Sequence, residues 1–202
     1  MSAAVWWMEW RLAARRPRVM VLSVLVPLFL VAAVAIGRAP TPHAALVYVV
    51  LFTFFGTFGA GIPWARDSER GLIHRLLLTG YGAPRAILER WAASALLDLL
   101  QLMPSLALIA LWYRADAGEV VRLVGWVAVG LFAANALGIL VAAVARSLAE
   151  TALLSSVAAL LLLHAAGVFR TPESGTAAAT LQRMVPFHYM YDAVRDAVGA
   201  PR

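Results

Sequence analysis

Five long apolar runs decide what this chain can become: residues 19–36, 44–64, 91–112, 120–144 and 149–169. Each is close to the ~20 residues that a helix needs to cross hydrocarbon of about 30 Å. In lipid every backbone N–H and C=O must find its partner inside the protein, which leaves helices or closed barrels as spanning structures. Unbroken apolar runs of this length read as helices. The expected fold is therefore all-α, a polytopic membrane helical bundle with five clear spans in a single domain over 1–202. At 62% hydrophobic residues and a mean hydropathy of +0.80, the chain lies beyond the roughly half-apolar make-up of soluble domains.

The charge pattern narrows the class further. The net charge is +6, and all seventeen basic residues are arginine. They cluster at the ends of apolar runs and form no single patch, which excludes a nucleic-acid partner. With the N-terminus inside, the inner set is Arg11, Arg15, Arg16, Arg18, Arg66, Arg70, Arg75, Arg85, Arg90 and Arg146. The outer set is the smaller one: Arg38, Arg114, Arg122, Arg170, Arg183, Arg195 and Arg202. The positive-inside rule then places the N-terminus and the 66–84 loop in the cytoplasm of a bacterial-type membrane. There is no cysteine, hence no disulfide framework and no thiolate metal site.

Residues 2–17 predict an interfacial amphipathic helix. Trp6, Trp7 and Trp10 supply a headgroup-depth side, while Arg11, Arg15 and Arg16 supply a cationic side facing membrane lipid. Those tryptophans and the long run that follows argue against a signal peptide. At the other end, residues 170–202 hold no run long enough to span. Pro172, Gly175 and Pro186 divide this tail into short pieces, expected as extracytoplasmic re-entrant or interfacial helices with Phe187, Tyr189 and Tyr191 at headgroup level.

Between the second and third runs the sequence turns polar, over residues 66–90. Leu72, Ile73, Leu76 and Leu77 follow the i, i+1, i+4, i+5 spacing of one helix face. A short amphipathic helix in a cytoplasmic loop suits a membrane protein gripped by a soluble partner. In the second run, Gly56, Gly59 and Gly61 offer a face on which another helix could pack closely.

Inside the spans, Asp98 is the sharpest residue. A carboxyl at mid-span costs roughly 2.5–3.5 kcal/mol on insertion scales, so it must face protein or water. Gln101 lies on the same side of that helix, and Asn135 and His164 sit in later spans. These four either line a substrate path or make structural hydrogen bonds between helices. No Gly-x-x-x-x-Gly-Lys-Ser/Thr loop is present, so the chain has no Walker site for ATP. His-Glu-x-x-His and Gly-x-Ser-x-Gly are also missing. An intramembrane enzyme would rest on Asp98, His164, Ser155 and Ser156 alone.

The order of these parts resembles the membrane subunit of an ABC-2 type transporter. Members of that family tend to carry charged residues, then Gly-Thr, Leu-Glu, a leucine pair, Thr-Pro, and a basic residue opening the third span. Here Gly71, Leu76, Leu77, Thr79 and Arg90 match, while Leu72, His74 and Gly80 replace the threonine, glutamate and proline. A second likeness is Pro186-Phe187-His188-Tyr189 with Asp192, Ala193 and Arg195. It resembles the stretch before the family's last span, for which residues 170–202 offer only short helices. The length is also similar to that of the small haem-exporter permease of cytochrome c maturation.

The resemblance implies an exporter permease that pairs with a second permease copy or paralogue. It would dock separate ABC ATPase subunits, which hold the ATP and Mg, through the 66–79 helix. The implied docking residues are Arg66, Asp67, Glu69, Arg70, Gly71, Leu72, Ile73, Arg75, Leu76, Leu77 and Thr79. It further implies no cofactor and no catalysis in this chain. The competing reading is a permease-like scaffold that anchors a complex without transporting.

Overall fold

The computed structural model describes residues 4–170 and 175–199. Ser2, Pro172 and Arg202, used in the sequence reading, lie outside them. The described residues form nine helices and no strand: α1 (Ala4–Ala14), α2 (Pro17–Ile36), α3 (Thr41–Glu69), α4 (Leu72–Leu78), α5 (Ala83–Tyr113), α6 (Ala117–Val144), α7 (Leu148–Ala165), α8 (Ala177–Met184) and α9 (Pro186–Gly199). Five of them, α2, α3, α5, α6 and α7, are long and apolar enough to cross a membrane. The chain is an integral membrane helical bundle.

Several boundaries differ from the sequence expectation, each for a local reason. The second run ends at residue 64, yet α3 continues to Glu69. Its 29 residues reach roughly 43 Å at 1.5 Å per residue, more than the hydrocarbon thickness. α5 likewise starts before the third run, at Ala83, with Pro84 in its first turn, where a missing N–H costs nothing. Pro17 opens α2 for the same reason, so it begins the first span as well as ending the N-terminal helix. α7 stops short of residue 169 because Gly167 takes φ +74, a backbone that glycine adopts freely.

The connections are tight where the sequence supplies caps. Asp116 and Glu119 form a reciprocal capping box at the start of α6, with bonds of 2.8 and 2.9 Å. Ser147 accepts from the Glu150 N–H at the start of α7. Only residues 145–147 separate α6 from α7.

The bundle is built on the α3–α6 pair. Lipid supplies no hydrophobic drive between helices, so close backbone approach must carry the contact. A Cβ on Gly61 would lie 2.9 Å from the Gly138 carbonyl oxygen, and one on Gly138 would run into the Thr57 carbonyl. Gly56 faces Ala134 and Leu131. The glycine run is therefore a packing face, and Gly138 is its partner on α6.

α9 is part of the bundle. It packs against α3, α5 and α6 and buries Phe187, Met190, Ala193, Val194, Ala197 and Val198. Gly130 makes room for the Met190 sulfur. Tyr189 stacks on Trp126 with ring centroids 4.7 Å apart, and Arg122 pairs with Asp196. Phe187, expected at headgroup level, is 1% exposed and packs inside the core of the bundle. The apolar side of α9 carries these residues at helical spacing, and the facing helices leave a slot for it.

Candidate functional site

Two features stand apart from ordinary helix packing: the α4 segment at one end of the bundle, and a cavity that begins beside it.

The 66–79 stretch is two helices. α3 runs out at Glu69, and Gly71 then takes the left-handed conformation, φ +67, that redirects the chain into α4. This break splits the expected apolar face. Ile73 turns inward against the small cluster of Ala60, Trp64, Ala65, Ile139 and Ala142, while Leu72, Leu77 and Leu78 face out. Leu78, which the sequence reading passed over, is the most open of these at 73% exposure. Arg70, His74, Arg75 and Thr79 are exposed, and Leu76 is half-buried. The Thr79 hydroxyl donates to the Leu76 carbonyl and closes the last turn of α4.

Three of the charged residues in the stretch, Arg66, Asp67 and Glu69, make contacts within the chain. Asp67 is buried and accepts from Arg90 Nη2 at 2.6 Å. The Arg90 guanidinium also lies over the Trp64 ring, 5.5 Å from its centroid. Glu69 accepts from the Leu148 N–H at 2.7 Å, so it caps the start of α7. Arg66 stays half-buried, with Nε 3.7 Å from Asp67.

Behind Arg66 and Arg90 opens a cavity of about 550 Å³. It exists because α2 leans on α5 and touches α3 little. Arg16, Arg66 and Arg90 line it together with Asp67. From Arg90 a polar row follows the α5 wall through Ser94, Asp98 and Gln101. The facing wall is apolar, with Leu51, Phe54, Phe55, Phe58 and Ile62 from α3, and Val19 and Met20 from α2.

Asp98 and Asn135 meet, as the structural reading of the sequence allowed. Asn135 Nδ2 donates to Asp98 Oδ2 at 2.9 Å and to the Leu131 carbonyl at 3.0 Å. A Cβ on Gly59 would collide with the Asp98 carboxyl, so that glycine holds the slot open. Gln101 joins Asp98 on the cavity wall, its Nε2 lying 3.4 Å from Met20 Sδ. His164 does not join them: it is exposed in the last turn of α7. Ser94, missed in the sequence reading, completes the row. The spacing 90, 94, 98, 101 is one helix face and could have been read directly.

At the N-terminus, Trp6 and Trp10 share a side of α1 with centroids 6.3 Å apart. Trp7 is 63% exposed and belongs to a different surface, with Arg11 and Arg15. One turn of helix separates positions 6 and 10, whereas position 7 points about 100° away.

The described residues thus form a polytopic helical bundle with a short helix before the first span and an outward-facing helix between the second and third. The family model described as ABC-2 type transporter matches residues 2–198. The chain belongs to the ABC-2 type transporter family. No curated protein and no solved structure matches the chain.

Proposed function

We propose that this chain is the permease subunit of an ATP-driven exporter, with the α4 end in the cytoplasm of a bacterial-type membrane. Separate ABC ATPase subunits would dock on α4 and would hold the ATP and Mg that this chain has no loop to bind. One observation carries the reading: α4 stands out from the bundle with Leu72, Leu77 and Leu78 facing solvent beside Arg70 and Arg75. An apolar patch rimmed by charge suits insertion into a partner's groove. Movement of that partner would pass into the spans through Gly71 and α3. The outward apolar faces of α2, with Val26, Phe29 and Leu30, and of α7, with Leu153, Leu160 and Leu161, would meet lipid or a second permease.

The test is a paired substitution, Leu77→Asp with Leu78→Asp, followed by gentle extraction and identification of co-purifying proteins. The expected result is an intact membrane-inserted chain that no longer brings an ATPase with it. Unchanged ATPase recovery would remove the docking role.

A further inference from the structure

The cavity between α2, α3 and α5 has a chemical polarity that the docking role does not use. Its α4 end is cationic. Arg16, Arg66 and Arg90 line it against a single nearby acid, Asp67, and that acid is held by Arg90. Arg66 Nε is buried and has no hydrogen-bond partner among the described residues, its 3.7 Å approach to Asp67 being too long for one. A buried guanidinium N–H of this kind awaits an acceptor.

Further from that end the walls differ. Along α5, the row from Arg90 to Gln101 extends over roughly 16 Å of helix. Across from it stand Phe54, Phe55 and Phe58 with Leu51 and Met20. The volume, about 550 Å³, falls within the ~300–1,000 Å³ of small-molecule sites. α2 hardly touches α3, and residues of both helices line the cavity.

From this arrangement we infer that the cavity binds an anionic amphiphile. A phosphate or carboxylate head sits among Arg16, Arg66 and Arg90, and an apolar tail lies along the phenylalanine wall. Guanidinium groups favour such heads because their planar N–H forks match two oxygens. Ser94, Asp98 and Gln101 would accept or donate hydrogen bonds to polar groups between head and tail. A resident membrane lipid and a transported substrate share this chemistry. The substrate case rests on the exporter reading proposed above; the binding site itself does not.

The experiment uses the full chain, extracted with its co-purifying partners and placed in nanodiscs. Binding of phosphatidylglycerol is compared with that of phosphatidylcholine by native mass spectrometry. Two variants accompany it. Arg16→Gln removes a cation from the head region, and Ser23→Trp fills the cavity from the α2 wall. The expected result is a preference for phosphatidylglycerol that falls about tenfold in Arg16→Gln, the scale of one charge-assisted contact. In Ser23→Trp that preference is lost altogether, while the elution profile stays that of the folded chain. Equal binding of the two lipids, or a preference that neither variant moves, would overturn the inference.

ATPase recovery is read on the same samples and separates the two claims. Retained ATPase with no lipid preference would defeat the cavity proposal alone. Lipid preference without any ATPase would defeat the exporter reading alone. If ATP depletes bound phosphatidylglycerol, the site lies on the transport path; if it does not, the occupant is a resident lipid. Both results support the binding proposal.

Discussion

Arg90 and Asp67 lock the first residues of the third span to the last turns of α3, with Nη2 and Oδ2 2.6 Å apart and both residues buried. Removing one member of a buried pair leaves the other charge uncompensated, at a cost of about 3–5 kcal/mol. Arg90→Leu should therefore be strongly destabilising in denaturant titrations in mixed micelles. The double variant, Asp67→Leu with Arg90→Leu, should recover most of that loss, because both charges leave together. If the double variant were as unstable as the single one, packing around Trp64 rather than charge would be the cause.

The α3–α6 contact makes a second prediction. Gly138 lies against the backbone of Thr57 and Gly61, which cannot rotate away. Gly138→Val should separate the two helices and give a polydisperse, poorly recovered protein on size-exclusion chromatography. Gly125→Val is the matched control, since a Cβ there meets nothing within 4 Å. It should elute like the parent chain. Equal behaviour of the two variants would mean that the close approach is not needed for assembly.

These two relationships show what the sequence could and could not reveal. The five spans were legible because length and composition alone define them. The glycine face on α3 was visible, but its partner Gly138 was not, since nothing in a one-dimensional pattern says which helices touch. Asp98 announced itself by its cost in a span, and Asn135 was among the partners to be expected for it. His164 carried the same kind of signal but does not meet Asp98, because its side of α7 faces out of the bundle. The continuous 66–79 helix failed at a single residue. Gly71 permits either a helix or a left-handed break, and the break it takes goes with the packing of Ile73 against the cluster that holds Trp64 and Ala60.

That break is itself testable. At Gly71 a Cβ would meet nothing within 4 Å, yet the backbone sits at φ +67. Any effect of substitution there is therefore conformational. A β-branched residue in this region costs roughly 1–2 kcal/mol, whereas asparagine visits it readily. If α4 is the docking helix proposed above, Gly71→Val should tilt it and reduce ATPase co-purification without changing membrane insertion. Gly71→Asn should retain the partner. Retention in both variants would show that the direction of α4 does not matter for docking.

The Asp98–Asn135 bond should behave differently from the Arg90–Asp67 pair, although both link spanning helices. Asn135 donates to Asp98 and also to the Leu131 carbonyl of its own helix, so losing Asp98 does not strand its amide. Interhelical hydrogen bonds within membranes are worth about 0.6 kcal/mol on average and up to about 1.7. A double-mutant cycle with Asp98→Leu and Asn135→Leu should give a coupling in that range, several-fold below the cycle at Arg90 and Asp67. The physical reason is the alternative partner: a group that keeps one acceptor loses less than a charge left without its counter-ion. A coupling at Asp98–Asn135 equal to that at Arg90–Asp67 would mean that Asp98 is held as a charge, with Asn135 as an essential part of its stabilisation.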